Sequence, residues 1–199
     1  MKFLELCRGV RAHLNQEHRF AHTVRVARFA DKLAQVHRED AARARVAGML
    51  HDLARLYPPH ALVTECRSRG LPITEFECQS PVVLHAKLGA ELARELFGVD
   101  DAAILSAIRK HTVAAPTMSA LDCIVYLADG LEPGRNFPER QALALLSFRD
   151  LRAAMSATVA WSIRYLEKKS LLVAPETLGA ARTFGVWDCD QEVIAAGIT

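Results

Sequence analysis

Apolar residues recur every three to four positions along almost the whole chain of 199 residues, whereas the alternation typical of β-strands is nearly absent. Breaks in this pattern fall at turn-forming residues such as Pro58-Pro59 and Pro133-Gly134. No linker rich in serine and glycine and no internal repeat divides the chain. We therefore predict an all-α fold, a single-domain helical bundle over residues 1–184 with a C-terminal tail at 185–199. The predicted helices cover residues 2–15, 18–37, 39–56, 59–69, 81–97, 100–111, 118–132, 138–146, 148–168 and 175–182.

Composition and charge narrow the classes of function. Hydrophobic residues make up 51% of the chain, and 25 basic residues nearly balance 23 acidic ones, for a formal charge of +2. This balance argues against a surface for nucleic acid or membrane, and no run of about 18 apolar residues is present. The N-terminal segment carries Glu5, Arg8 and Arg11 inside its apolar stretch, which indicates an amphipathic helix rather than a signal peptide. We therefore expect a cytoplasmic protein.

The cysteines indicate neither a disulfide framework nor a zinc site. They are odd in number and form no CxxC pair. We expect reduced, mostly buried thiols. The five cysteines are Cys7, Cys66, Cys78, Cys123 and Cys189.

Several polar residues lie where the helical pattern predicts a buried face. His22 precedes Val26 by four residues and would share the face of that residue. His51 and Asp52 stand side by side in AGMLHDLARL, within the helix predicted at 39–56, on or beside its buried side. Three more residues have the same position on the apolar side of their own helices: His85, His111 and Asp129.

These six residues together predict a metal site. One buried histidine is more often a satisfied core residue than a ligand, but here five predicted helices each direct one or two polar groups inward. Burying these groups unpaired would cost several kcal/mol each, roughly, and a cation removes that cost by using imidazole nitrogens and carboxylate oxygens as ligands. A mixed nitrogen and oxygen set without thiolate suits iron, manganese, cobalt or zinc.

The order H…HD…H…H…D resembles the signature of the HD-domain phosphohydrolases. Within that group the chain is most similar to the YqeK-type symmetrical diadenosine tetraphosphate hydrolases. The similarity runs from residue 19 to residue 182, nearly the whole chain. The matching stretches are RFAHTVRVA, AGMLHDLAR, the histidine of VVLHAKLGAELA, AIRKHT, MSALDCIVYLADGLEPGR and, more weakly, LLVAPETLGAAR.

The resemblance implies an activity and a ligand set. The family converts diadenosine tetraphosphate and water to two ADP. By position, the residues that would bind iron, as one ion or with a second, are His22, His51, Asp52 and Asp129. The resemblance also places His85 and His111 beside them, facing the polyphosphate or a second ion, and places Arg19, Arg55 and Thr112 where the family contacts phosphates. Arg135, in the EPGR turn, is a further candidate for the substrate.

The chemistry of pyrophosphate cleavage suggests roles for these side chains. Asp52 would orient the attacking water as well as bind the metal. His85 and His111 would hydrogen-bond developing charge or protonate the leaving phosphate. Arg19, Arg55 and Lys87 would hold the flanking phosphates.

Some features leave alternatives open. The third histidine is followed by Ala86-Lys87 and the last aspartate by Gly130, where the family usually has other residues. These departures keep two alternatives: an HD-type phosphatase or phosphodiesterase for another nucleotide, and a nucleotide- or metal-binding sensor without turnover. A GYP tripeptide typical of one cyclic-dinucleotide class is absent. A purely structural helical protein would require the six ionisable groups to satisfy one another.

The long helix predicted at 148–168 carries Trp161 and Tyr165 at a spacing of four. We interpret this pair as packing. Together with the amphipathic N-terminal helix, this region could support a homodimer.

Overall fold

The computed structural model describes residues 3–186, and within them the predicted all-α fold is confirmed. A 3₁₀ helix at Pro81–Val83 precedes α6. The α-helices are α1 Phe3–Leu14, α2 Glu17–Val36, α3 Ala41–Leu50, α4 Pro59–Ser68, α5 Glu75–Gln79, α6 Leu84–Phe97, α7 Ala102–Lys110, α8 Ala120–Leu131, α9 Arg140–Arg149, α10 Leu151–Lys168 and α11 Pro175–Phe184.

Five helices build the centre of the bundle. Helix α2 lies along α3 and α8, and α7 packs against α3, α6 and α8. Their apolar faces meet in a core that includes Leu33, Leu50, Leu88, Ile108 and Leu127, all fully buried. The helices that share the core therefore carry the six polar residues or end directly before them. Helix α10 covers α8 from outside and also packs against α9 and α11.

The prediction of one helix over residues 39–56 is wrong at the C-terminal end. Helix α3 ends at Leu50, and His51 follows as its C-cap. The His51 Nδ1–H donates to the Gly48 carbonyl at 2.8 Å. If the helix continued, this carbonyl would instead accept a hydrogen bond from a backbone amide. Residues beyond His51 form tighter turns, with the Arg55 amide donating to the Asp52 carbonyl at 3.0 Å. His51 and Asp52 therefore lie on a turn after the helix and not in its middle.

Other differences concern ends and one short element. The helix predicted to end at residue 111 stops at Lys110, and the one predicted at 81–97 opens with the 3₁₀ turn. Helix α5 was not predicted, although its capping box of Thr74 and Glu77 is a readable start signal. Helices α9 and α10 begin two and three residues later than predicted, at Arg140 and Leu151.

Three further sequence predictions concern membrane-spanning helices, the cysteines and the C-terminal tail. Among residues 3–186, every helix is too short or too polar to cross a membrane. Cys7, Cys66, Cys78 and Cys123 are free thiols, of which Cys66 and Cys123 are buried and Cys78 is exposed. Cys189 and residues 187–199 of the predicted tail lie outside the described residues.

Gly48 permits the close approach of α3 to α2, so Gly48→Ala should destabilise the fold. A Cβ at this position would lie 2.9 Å from Ala27 Cα and 3.1 Å from Ala27 N, backbone atoms that cannot rotate away. Overpacking of this kind typically lowers the free energy of unfolding by about 1–3 kcal/mol, which urea denaturation monitored by circular dichroism would measure.

Gly130→Ala is the matched control, because its added carbon would meet only Thr158 Cγ2, at 3.9 Å. Alanine also favours a helix over glycine by about 1 kcal/mol, so this variant should keep or gain stability. An equal loss of stability in both variants would contradict the role assigned to Gly48.

Candidate metal centre

The six predicted polar residues converge on one point between the central helices. His22 Nε2 lies 3.0 Å from Asp129 Oδ1, and His51 Nε2 lies 3.6 Å from the same oxygen. Asp52 Oδ2 lies 3.6 Å from His51 Nε2, and Asp52 Oδ1 lies 3.5 Å from His85 Nε2. The cluster is formed by α2, the turn after α3, α6, the end of α7, and α8.

Three of the histidines are fixed by the same backbone contact. In each, Nδ1–H donates to the carbonyl three residues earlier, which sets the tautomer and leaves the Nε2 lone pair directed into the cluster. His51 uses Gly48 at 2.8 Å, His85 uses Val82 at 2.5 Å, and His111 uses Ile108 at 2.7 Å. One kind of hydrogen bond thus orients all three rings, and at His51 and His111 it also lies at the end of a helix.

The donor set fits a metal ion. His51 is fully buried, and its Nε2 has no hydrogen-bond partner within the described chain, although such an atom is costly to leave unsatisfied. Two groups of side chains have ligand atoms close enough to surround one ion: His22, His51 and Asp129, and His51, Asp52 and His111. Neutral imidazoles and carboxylates in this arrangement are the usual ligands of a divalent transition metal.

A second pair of nitrogens lies beside this group. His85 Nε2 and His111 Nε2 are 3.1 Å apart, and the Thr112 hydroxyl lies 3.2 Å and 3.0 Å from them. Since both Nδ1 atoms are already donors to carbonyls, both Nε2 atoms present lone pairs. The single Thr112 hydrogen can satisfy only one of them, so a proton or a cation is needed between the two rings.

The electrostatics favour the metal-binding forms of His111 and Asp129, but they favour a proton on His51. Burial and the neighbouring His51 lower the pKa of His111 to about 3, so this imidazole is neutral. Burial opposes ionisation of Asp129, yet the neighbouring His22, His51 and Arg135 hold the pKa of this carboxyl well below its ordinary value. Burial also opposes charge on His51, but the Asp52 and Asp129 carboxylates outweigh it and raise the pKa of His51 to about 8. A metal ion bound to His51 Nε2 would therefore displace a proton from this ring.

A cavity of about 260 Å³ opens on this cluster and has a strongly polar wall. Arg19 Nη1 lies 3.3 Å from Asp52 Oδ2, and Arg135 contacts Asp129 through Nη2 at 2.5 Å. Arg55 also lines the cavity, and within residues 3–186 it forms no ion pair with a carboxylate. The lining residues are Arg19, Asp52, Arg55, Val82, His85, Thr112, Asp129 and Arg135.

Two of the predicted substrate residues, His111 and Lys87, do not line this cavity. His111 lies behind it in the cluster, with Nε2 3.9 Å from Asp52 Oδ1, whereas Lys87 points elsewhere. Its Nζ donates to the Pro72 carbonyl at 2.6 Å and forms an ion pair with Glu77 at 2.7 Å. Lys87 follows His85 by two positions on α6, and a separation of about 200° turns it away from the face that carries the histidine.

Residues 19–134 match the HD domain family. The chain belongs to the HD domain family. It is 35% identical to the symmetrical bis(5'-nucleosyl)-tetraphosphatase of Halalkalibacterium halodurans over 85% of this chain and 89% of that protein. It is 34% identical to the enzyme of the same name from Bacillus subtilis over 81% of this chain and 86% of that protein.

The fold also matches a crystal structure. A predicted HD superfamily hydrolase involved in NAD metabolism from Clostridium acetobutylicum superposes with a TM-score of 0.88 and 29% sequence identity. The match covers 92% of this chain and 97% of that one. The arrangement of helices around the cluster is therefore that of an HD domain over nearly the whole length.

Sequence reasoning missed one residue of this HD domain, Glu132. It is 1% exposed, and its Oε1 lies 3.0 Å from His22 Nδ1. Arg25 Nε donates to Glu132 Oε2 at 2.6 Å, and the Gly134 amide donates to the same oxygen. Burial alone would raise the pKa of Glu132, but these donors lower it, so an ionised carboxylate supports His22 from behind. The acidic residue of the EPGR turn was the available signal, and it was read only as part of a turn.

Glu132→Gln should weaken metal binding while leaving the fold in place. The amide keeps the shape of the side chain but loses the charge that holds His22 Nδ1–H, and loss of such a partner typically costs about 10- to 100-fold in metal affinity. Isothermal titration of the metal-stripped protein with manganese would measure the change directly.

Glu95→Gln serves as the control, because Glu95 forms an exposed ion pair with Arg69 at 2.9 Å and should leave metal affinity unchanged. Wild-type affinity in Glu132→Gln would show that Glu132 contributes to folding only.

Proposed function

We propose that this HD domain protein cleaves diadenosine tetraphosphate symmetrically to two ADP, as a metal-dependent hydrolase. One observation carries the proposal: a cluster of side chains that could hold a cation lies next to a cavity lined by arginines. Two relatives of similar length bear the name of this activity. A polyphosphate needs both parts, since its anionic oxygens repel a nucleophile until cations neutralise them.

The proposed metal ligands are His22, His51, Asp52 and Asp129. A divalent ion held there would supply Lewis acidity that neutralises phosphate charge and makes water a better nucleophile near neutral pH. Iron is the proposed metal, with manganese, cobalt or zinc as substitutes that the donor set also suits. The facing Nε2 atoms of His85 and His111 provide a place for a second cation.

The side chains around the cluster have distinct proposed roles. Asp52 directs one oxygen at His51 and the other at His85, and its ionised form would accept a proton from the attacking water. The low pKa of His111, together with burial of His85, opposes protonation of these rings at neutral pH. They therefore serve better as acceptors or ligands than as acids for the leaving phosphate, and the Thr112 hydroxyl is the donor beside them.

Three arginines would hold the phosphate chain. Arg19, Arg55 and Arg135 surround the cavity from α2, the turn after α3 and the loop after α8. Charge-assisted hydrogen bonds from guanidinium groups fix phosphates in direction as well as position. Symmetrical cleavage then follows if these contacts bring the central anhydride, rather than an outer one, to the cluster.

His51→Ala and Asp52→Ala should each abolish activity and stoichiometric metal binding, because each removes a donor that the cluster shares. The measurement is elemental analysis of anaerobically purified protein together with chromatography of the products formed from diadenosine tetraphosphate. ADP should be the sole nucleotide product of the wild type.

His18→Ala is the matched control, since His18 is an exposed histidine in the first turn of α2 and should retain full metal and activity. Metal without ADP formation would redirect the assignment to another nucleotide or to a sensor. A folded wild type that takes up no metal, even with added iron or manganese, would refute the cluster as a metal site.

Arg55→Ala should raise the KM for diadenosine tetraphosphate by about 10- to 100-fold, the typical range for losing a charged hydrogen bond of about 1.5–3 kcal/mol. Lys87→Ala should leave KM within about twofold of wild type, because the Lys87 ammonium is occupied by Glu77 and Pro72. Steady-state kinetics on both variants would measure this. A large KM effect in Lys87→Ala alone would restore the original assignment of Lys87 to the substrate.

A further inference from the structure

The cavity over the metal cluster is too small for the whole of the proposed substrate. It has a volume of about 260 Å³, whereas pockets that enclose one drug-sized ligand have roughly 300–1,000 Å³. Diadenosine tetraphosphate carries four phosphates and two nucleosides. If the phosphates occupy the cavity lined by arginines, at least one nucleoside must lie in a neighbouring space.

A larger cavity adjoins the first and shares Arg135 with it. Its volume is about 830 Å³, and it lies between the loop after α8 and the outer face of α10. Gly130, next to the proposed ligand Asp129, also lines it. The lining residues that bear on recognition are Arg135, Phe137, Trp161, Arg164, Tyr165 and Lys168.

The aromatic side chains of this cavity form a continuous stack. Phe137 and Trp161 have ring centroids 4.2 Å apart with planes inclined by 28°, and Trp161 and Tyr165 have centroids 5.3 Å apart with planes inclined by 13°. Trp161 Nε1–H donates to Glu139 Oε2 at 3.1 Å, which fixes the central ring. Tyr165 ends the stack and is 46% exposed. The predicted packing of Trp161 on Tyr165 is therefore part of a larger aromatic platform that is open to ligands at one end.

Cations flank this platform. Arg164 and Lys168 lie on the same face of α10 as Trp161 and Tyr165, and Arg135 stands at the boundary with the phosphate cavity. A flat aromatic surface beside positive charge is the arrangement that binds a nucleobase attached to phosphates. An apolar cavity on the opposite side shares Val82 and Thr112 with the phosphate cavity, and the side chains of residues 3–186 that line it are all uncharged.

Building on the proposed function, we infer that the Phe137–Trp161–Tyr165 platform binds the nucleobase of one half of the dinucleoside polyphosphate. Arg135 connects this subsite to the phosphate cavity, so a single nucleotide half spans both. Stacking uses the π-face that every base has, and it discriminates weakly between bases. Adenine and guanine dinucleotides should therefore bind with affinities that differ by no more than a few-fold.

Tyr165→Ala tests the subsite with limited risk to the fold, because the ring is half exposed. The probes are a diadenosine tetraphosphate analogue with a central methylene bridge, which is not cleaved, and inorganic tetraphosphate, which has no base. Titration calorimetry should give a Kd for the analogue that is roughly 5- to 100-fold weaker than wild type, as for loss of one base-stacking ring. The Kd for inorganic tetraphosphate should stay within twofold.

Two further variants complete the experiment. Tyr165→Phe keeps the ring and should bind the analogue as the wild type does. Leu172→Ala truncates a side chain that is 54% exposed and lines the apolar cavity on the opposite side, and it should have no comparable effect.

The outcomes separate the subsite from the proposed function. Unchanged analogue affinity in Tyr165→Ala, or a loss found in Leu172→Ala instead, overturns the subsite while hydrolysis by the wild type upholds the proposed function. A wild type that neither hydrolyses diadenosine tetraphosphate nor binds its analogue overturns both. An equal loss of affinity for inorganic tetraphosphate in Tyr165→Ala also overturns the assignment to the base.

Discussion

The hydrogen bond from a histidine Nδ1 to the carbonyl three residues earlier is the contact on which the rest of the site depends. At His51 and His111 it coincides with the ends of α3 and α7, and at His85 it joins the ring to the 3₁₀ turn before α6. A ring fixed in this way has one tautomer and one direction for its second nitrogen. The same hydrogen bond therefore lies at the end of a helix and directs the histidine Nε2 atom toward the cluster. Packing of the core helices then brings these histidines together.

Charge balance is the second constraint, and it extends beyond the cluster. Asp52 and Asp129 are held at the centre, while Glu132 lies behind His22 and is matched by Arg25. Arg19 and Arg135 contact the two aspartates from the cavity side. Asp52 and Asp129 therefore contact arginines on the side of the cavity. Binding of phosphates to these arginines and binding of a cation to these aspartates would change the same ion pairs. Affinity for metal and affinity for substrate should be coupled through these arginines.

The sequence was sufficient for the fold class and for the six central residues, because helical periodicity shows which polar side chains lie on apolar faces. It could not reveal that α3 ends at Leu50, since His51 and Asp52 continue the periodic pattern while the His51 side chain takes the Gly48 carbonyl. It misplaced Lys87, because charge alone does not indicate the face of α6 on which a lysine lies. It missed Glu132, whose partner His22 is separated from it by 110 positions. The aromatic platform was likewise visible only as a spacing of four, because Phe137 comes from a separate loop.

The substrate proposed for this chain has two identical halves, but the spaces around the phosphate cavity are not identical. One is wide, aromatic and flanked by cations, and the other is narrower and lined by uncharged side chains. Helix α10 contributes to both, with Trp161 and Tyr165 on one side and Ser162 and Leu166 on the other. A symmetric molecule held in an asymmetric site reaches the cluster in one register only, because a shift by one phosphate would displace the base from the platform and leave the central anhydride away from the donors. With the base on the platform as proposed, symmetry of the products would arise from a fixed distance between platform and cluster, and it would not require a symmetric protein.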